Sequence, residues 1–344
     1  MLEDQSDGYP GGTTVGIIFN AKHGTHGNAR DAEAEYDNPA TVTAIQKALQ
    51  AGGYRTVLLE GDAALVDQLK KNPIDIAFNI AEGIRSRGRE AEVPAVLNML
   101  GVPFTGSDET TLCLALDKAL TKRLLSTYGI RTPAYAVVSN EAEIDSLHLP
   151  FPVIVKPDAE GSSKGIPDAC VAAGPEELRK ALVNGLCLYH EPMLVEEYLP
   201  GREFTVGMLG NGKDTRVFPP MEIIFQCNTK GGYHVYSYDV KQDYQKYIRY
   251  ECPARLAPKQ EDAIKSMAVG AFQALGCQDF ARVDFRLSAD GTPYFIEINP
   301  LPGLAPGYSD YPMIAEFCGV SYDELILSIL RAALMRLKKE AVRR

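Results

Sequence analysis

The 344-residue chain has no tryptophan, only five histidines and no Cys-x-x-Cys pair. Its seven cysteines (Cys113, Cys170, Cys187, Cys227, Cys252, Cys277, Cys318) are scattered and odd in number. That pattern excludes a disulfide framework and points to reduced thiols in a cytoplasmic protein. Positive charge is scarce: 35 lysines and arginines stand against 45 aspartates and glutamates, for a net charge of -10. Such a balance excludes a general nucleic-acid surface, so any anion must be met by a few local cations. No stretch approaches the roughly 18 apolar residues of a membrane span. The start Met1-Leu2-Glu3-Asp4 lacks the basic and then apolar order of a signal peptide.

What is present is ordinary for a globular protein, with 45% hydrophobic and 23% charged residues and room for two or three domains. The apolar run Val15–Phe19 reads as a buried parallel strand, followed by a helix carrying Val42, Ile45 and Leu49 and by strands at 54–59 and 74–78. This alternation predicts a doubly wound α/β domain. Its first turn has no Gly-x-Gly-x-x-Gly, which argues against a dinucleotide site, and His23-x-x-His26 lacks the helix and glutamate of a zinc site. After the third strand, Arg85, Arg87 and Arg89 form either a solvated loop or an anion contact. A single helix is predicted from Leu114 to Tyr128, and a short strand and turn at 103–107. Gly161-Ser162-Ser163-Lys164-Gly165 matches Gly-x-Ser-x-Gly. A nucleophile elbow needs a helix directly after its serine, and Ile166-Pro167-Asp168 intervenes. Exposed amides wrapping a phosphate suit this small-residue loop better.

The most informative stretch runs from Phe280 to Gly303. Two alternating segments flank Asp290-Gly291, a dipeptide suited to a two-residue hairpin turn. That turn sets Asp284 opposite Glu297 and Arg282 opposite Asn299. Period two then sends Val283, Phe285, Ile296 and Ile298 to the core side. Two carboxylates directly across from one another repel unless a cation lies between them. With Asn299 they offer hard oxygen donors of the kind that suit Mg²⁺. A half-exposed amphipathic hairpin with solvated charges is the plainer alternative.

Several pieces occur in one order: Lys118, Val153-Ile-Val-Lys156-Pro157, Glu160-Gly-Ser-Ser163, Val195-Glu196-Glu197-Tyr-Leu-Pro-Gly-Arg-Glu203-Phe-Thr-Val206, Arg282-x-Asp284, and Glu297-x-Asn299-x-x-Pro-Gly303. Together the series resembles the ATP-grasp ligases, the D-alanine:D-alanine ligase branch above all. The resemblance implies an N-terminal α/β domain (1–112), then the small central (113–200) and C-terminal catalytic (201–344) subdomains of a two-part α+β ATP-grasp fold. It implies ATP contacts from Lys118, Lys156, Ser162, Ser163, Glu196, Glu197, Leu199, Glu203 and Lys241. It implies two Mg²⁺ ions, with Mn²⁺ as a substitute, on Asp284, Glu297 and Asn299. Catalytic roles fall to Arg282, Gly303, Glu90 and Ser163. A carboxylate would attack the γ-phosphate to give an acyl phosphate, and an amine would displace the phosphate. The 230–247 segment is the candidate lid.

The amino-acid side departs from the family's pattern. Ala81-Glu82-Gly83 stands where the family has His-Gly, Gln242 follows the lid lysine in place of tyrosine, and Glu33 or Glu35 is only an approximate counterpart of the amino-binding glutamate. The segment after Gly303 is about one residue longer, with Asp310 beside a candidate carboxylate-binding Ser309. Substrate contacts are therefore expected from Glu35, Glu82, Ser309 and Asp310, with D-alanine or other amino acids as partners. No nucleic acid or membrane partner is expected, and a homodimer is the family's habit. A nucleotide-binding sensor without turnover is the alternative from another class.

Overall fold

Short runs that are apolar on both faces can be buried on both. In the first sheet, strands β1 (Thr14–Phe19), β2 (Arg55–Glu60) and β3 (Ile76–Asn79) are parallel, in the order β2-β1-β3. Strands β1 and β3 are of this kind, with β2 half-exposed at its edge. The computed structural model describes residues 12–22, 36–160, 171–226, 232–236, 240 and 243–343. Between β1 and β2 lies helix α1 (Pro39–Ala51), capped by the Asn38 side chain, which accepts from the Ala40 amide. Helices α2 (Leu65–Lys71) and α3 (Glu92–Leu100) cover the other side, where Leu65, Leu69, Val93 and Leu97 meet Ile18 and Ala77. The strand predicted near 103–107 is a single bridge between Phe104 and Ala77.

The helix predicted from Leu114 to Tyr128 is two helices, α4 (Glu109–Leu116) and α5 (Lys118–Thr127). Asp117 takes extended angles between them, and its carboxylate accepts from the Leu120 amide at 2.8 Å. A short acidic side chain competes with the helical backbone in mid-helix and is favoured as a cap, so the break falls on it.

The central sheet is antiparallel, β4 (Tyr135–Val138), β5 (Val153–Pro157), β6 (Val171–Ala172) and β7 (Met193–Glu197) in the order β4-β7-β5-β6, backed by α6 (Pro175–Tyr189). The chain then crosses to another sheet. Strands β8 (Glu203–Leu209), β9 (Arg216–Val217), β10 (Met221–Phe225), β11 (Ile248–Glu251), β12 (Phe280–Leu287) and β13 (Pro293–Asn299) follow, with α7 (Tyr244–Tyr247) before β11 and α8 (Pro258–Ala274) before β12. The sheet order is β11-β10-β8-β12-β13, with β9 beside β8. The strand, turn, strand segment at 193–206 is thus a link between sheets, since β7 and β8 do not pair.

The β12–β13 register carries a correction. Leu287 pairs with Pro293, the Ser288 amide donates to Thr292 O at 2.9 Å, and Gly291 has φ +82°, so the loop has three residues. That slip is undone by a bulge between Asp284 and Phe285, and beyond it Asp284 lies across from Glu297 and Arg282 from Asn299. Ile296, expected in the core, is the extra residue and lines a cavity instead. Phe285, Phe295 and Ile298 join Val283 against Ile264, Ala268 and Phe272 of α8.

Two last helices, α9 (Asp310–Phe317) and α10 (Tyr322–Arg343), return the chain to the first sheet. Ile326, Ile329 and Leu330 share one core with Val42, Ile45 and Leu49 of α1. Contact is tight there: a Cβ on Gly52 would lie 2.3 Å from Leu327. Among the described residues no helix is long and apolar enough to cross a membrane.

Candidate active site

All three sheets contribute to one cavity of about 550 Å³. The first sheet supplies Lys22, Asp37 and Glu82; the central sheet supplies Lys156, Glu196 and Glu197, with Leu199 just beyond. From the third come Glu203, Arg282, Asp284, Glu297 and Asn299, and from the loop after β13 come Gly303, Ser309 and Asp310. Lys118 and Glu90, also expected in the site, are buried outside this lining. Glu35, Ser162, Ser163 and Lys241 lie outside the described residues, as do His23, His26, the Gly-x-Ser-x-Gly loop and residues 230, 231, 237–239 and 242 of the candidate lid.

At the central sheet the geometry is set by register. Glu196 pairs with Ile154 and Lys156 with Leu194, so the lysine lies diagonally across from the glutamate on one face. Lys156 Nζ is 2.6 Å from one carboxylate oxygen, and Lys122 Nζ is 2.6 Å from the other. Lys122 also donates to Ile296 O at 3.0 Å. Burial opposes charge on Glu196, but the two lysines outweigh it and hold its carboxyl at about 2. Lys122 was not singled out in the sequence, although it stands one turn after Lys118 on the same face of α5. Lys118 itself donates to Glu160 O, at the edge of the serine-rich loop. Two arginines of the 85–89 segment meet protein anions: Arg87 pairs with Asp117 at 2.8 Å and Arg89 with Glu160 at 2.9 Å.

At the third sheet the balance is reversed. Arg282 donates to both Asp284 oxygens, at 3.0 and 2.8 Å, with Glu297 at 3.9 Å and Asp310 at 3.8 Å from the same guanidinium. Four residues along β12 from Arg282, Arg286 bonds Glu203 at 3.3 Å, the Tyr198 hydroxyl at 3.1 Å and His234 O at 2.6 Å. It shares the Arg282 and Asp284 face, and the same period-two argument reaches it. Burial first, then Asp284, Glu297 and Asp310, pushes the Glu203 carboxyl up to about 7 despite Arg286. Among the described residues no three His, Cys, Asp or Glu side chains group to hold a metal. Two carboxylates and the Asn299 carboxamide nonetheless fit a hard divalent cation that keeps waters and shares phosphate oxygens. A carboxylate has about four lone-pair sites, so Asp284 can serve Arg282 and a cation together.

The loop after β13 is drawn close. A Cβ on Gly303 would come within 2.8 Å of Ser309 Oγ, which accepts from the Ala305 amide at 3.2 Å. Asp310 accepts from Tyr250 at 2.9 Å and Tyr236 at 3.4 Å, so the added charge is met by two hydroxyls and Arg282. Across the cavity, Asp37 Oδ2 is buried without a hydrogen-bond partner among the described residues. Burial pushes its carboxyl up to about 8, against Lys22 and with help from Glu60. Asp37 is the described carboxylate nearest in sequence to the expected Glu35 that reaches the cavity.

Comparison with known proteins agrees with this geometry. The family model described as D-ala D-ala ligase C-terminus matches residues 124–331. A D-alanine–D-alanine ligase of Bordetella avium is 31% identical over 95% of this chain and 96% of its own. An uncharacterized protein of Sinorhizobium fredii is 35% identical over 84% of this chain and 86% of its own. A solved D-alanine–D-alanine ligase from Bacillus anthracis superposes with TM-score 0.74 at 24% identity, covering 95% of this chain and 99% of that one. VanG D-Ala:D-Ser ligase from Enterococcus faecalis gives 0.71 at 20% identity, covering 93% and 99%. The two structures share the fold, the longer sequence matches carry the kinship, and the chain belongs to the D-alanine–D-alanine ligase family of ATP-grasp enzymes.

Proposed function

We propose that this enzyme is an ATP-dependent, ADP-forming ligase that joins two amino acids or amino-acid-like substrates through an acyl phosphate. The observation that carries the reading is the paired charge imbalance around one cavity: two lysines on Glu196, and three carboxylates about Arg282. The lysine-rich part suits a nucleotide's phosphates, with Lys156 as the cation that lines the cavity, and Lys118 beside the serine-rich loop. Glu197 and the Leu199 backbone would read the base, and Glu203, steadied by Arg286, would hold the ribose. Asp284, Glu297 and Asn299 would hold magnesium, which supplies charge neutralisation on the transferring phosphate. Arg282 and the Gly303 amide are the donors suited to the oxyanion that forms when the amine attacks the activated carbonyl. Ser309, just before α9, would hydrogen-bond the second substrate's carboxylate, where helix amides favour an anion.

A phosphate-release screen over pairs of D- and L-amino acids, with mass spectrometry of the products, tests the reading. The expected result is turnover that requires two amino acids and yields a condensed product lighter by one water. Nucleotide binding without ADP formation across the whole set would favour the sensor instead.

A further inference from the structure

One of the carboxylates about Arg282 is given no contact with substrate or metal in the chemistry just described. Asp310 opens helix α9 with a side chain only 3% exposed, and it lines the cavity beside Ser309. Its Oδ1 is taken by Tyr250 at 2.9 Å and Tyr236 at 3.4 Å, and those two hydroxyls lie 2.8 Å apart. Its Oδ2 is 3.8 Å from Arg282 Nη1, beyond hydrogen-bonding distance. That guanidinium is already committed to both oxygens of Asp284. Among the described residues, half of a buried carboxylate therefore meets the cavity without a close donor, an arrangement that costs free energy until a ligand supplies one.

Position says which ligand group comes near. Ser309 is the neighbour of Asp310 and, on the ligase reading, holds the acceptor's carboxylate. The acceptor's side chain then projects from a carbon two bonds away, within reach of Oδ2. We infer, resting on that reading, that Asp310 selects an acceptor whose short side chain ends in an N–H or O–H donor, against alkyl and acidic side chains. An alkyl group would leave Oδ2 buried and unpaired, whereas a carboxylate would meet a like charge in a site with little water.

The test uses the enzyme and four small acceptors, in both D and L forms: alanine, serine, 2,3-diaminopropionate and aspartate. With a donor substrate from the pair screen held fixed, kcat/KM for each acceptor is read from phosphate release. Serine or 2,3-diaminopropionate is expected to exceed alanine by roughly tenfold or more, with aspartate lowest. Their order relative to each other separates hydroxyl from ammonium recognition. Asp310→Asn should shrink the preference, and Asp310→Leu should turn it toward alanine, the change falling on the acceptor's KM. Both variants are scored as ratios among acceptors, which do not depend on how much of the protein folds. Equal use of alanine and the two donors by the wild type would overturn the inference. So would an Asp310→Leu variant that weakens all acceptors alike, since that marks a residue acting only through Arg282. Release from no pair at all, with nucleotide still bound, removes the ligase reading itself and this inference with it.

Discussion

Two clusters of buried charge border the same cavity and are built in opposite ways. Around Glu196 one carboxylate is shared by two lysines at 2.6 Å each, and around Arg282 one guanidinium is shared by three carboxylates between 2.8 and 3.9 Å. Fully matched buried pairs are closed structures that want nothing further, and apolar residues replace them at little cost. Mismatched ones keep a surplus of one sign where solvent is scarce. The lysine cluster has a surplus suited to anions, and the arginine cluster one suited to cations. Magnesium and phosphate, which attract each other, would join the two.

Four substitutions would break or sharpen this contrast. The largest effect belongs to Glu196→Gln, which strands two buried cations and should lower stability in urea by about 3–5 kcal/mol near neutral pH. Because the folded carboxyl is held at about 2 against an ordinary 4.5, this contribution is present above about 4.5. It disappears as the pH falls toward 2, so wild type and variant should converge in acid. A deficit below about 1 kcal/mol would make the cluster no stronger than a surface pair. Next, Glu297→Gln should cut turnover on the order of 100-fold and raise the magnesium needed for half-maximal rate. Near wild-type rates in that variant would contradict the metal assignment.

Asp37→Asn is smaller and tests a third kind of buried group, a carboxyl whose Oδ2 has no hydrogen-bond partner among the described residues. The folded protein keeps the Asp37 proton up to about 8, whereas the unfolded chain releases it near 3.8, so stability should decline as pH rises between them. The variant should lack that decline and be more stable by about 1–3 kcal/mol at pH 8, with little gain at pH 4. Melting temperatures at the two pH values decide it, and equal differences would sink the account. Last comes Glu203→Gln, which should raise the KM for ATP roughly threefold to tenfold with kcat little changed. A drop confined to kcat would move Glu203 from nucleotide binding to the chemical step.

Much of the arginine cluster was legible in the chain. Period two put Arg282 and Asp284 on one face, and the facing of Asp284 and Glu297 held even though the turn was misread. Asp290 accepts from the Thr292 amide at 3.1 Å, which draws the loop into three residues, and the bulge then absorbs the slip. The lysine cluster was half legible. Lys156 and Glu196 carry a family pattern, whereas Lys122 is one of many helical lysines, and only packing against β13 removes it from solvent. Tyr236 and Tyr250 could not be tied to Asp310 from the sequence, since 74 and 60 positions separate them from it.

Alternation, capping and turn chemistry act over a few residues, and the sequence alone therefore determined the first three strands, the face that Arg282, Asp284, Glu297 and Asn299 take, and the ordered motifs of an ATP-grasp enzyme. Which charges end up sharing a counter-ion depends on three sheets closing over one space. Only the tertiary structure decided that, because burial and long-range contact are properties of the packed chain and not of any segment in it.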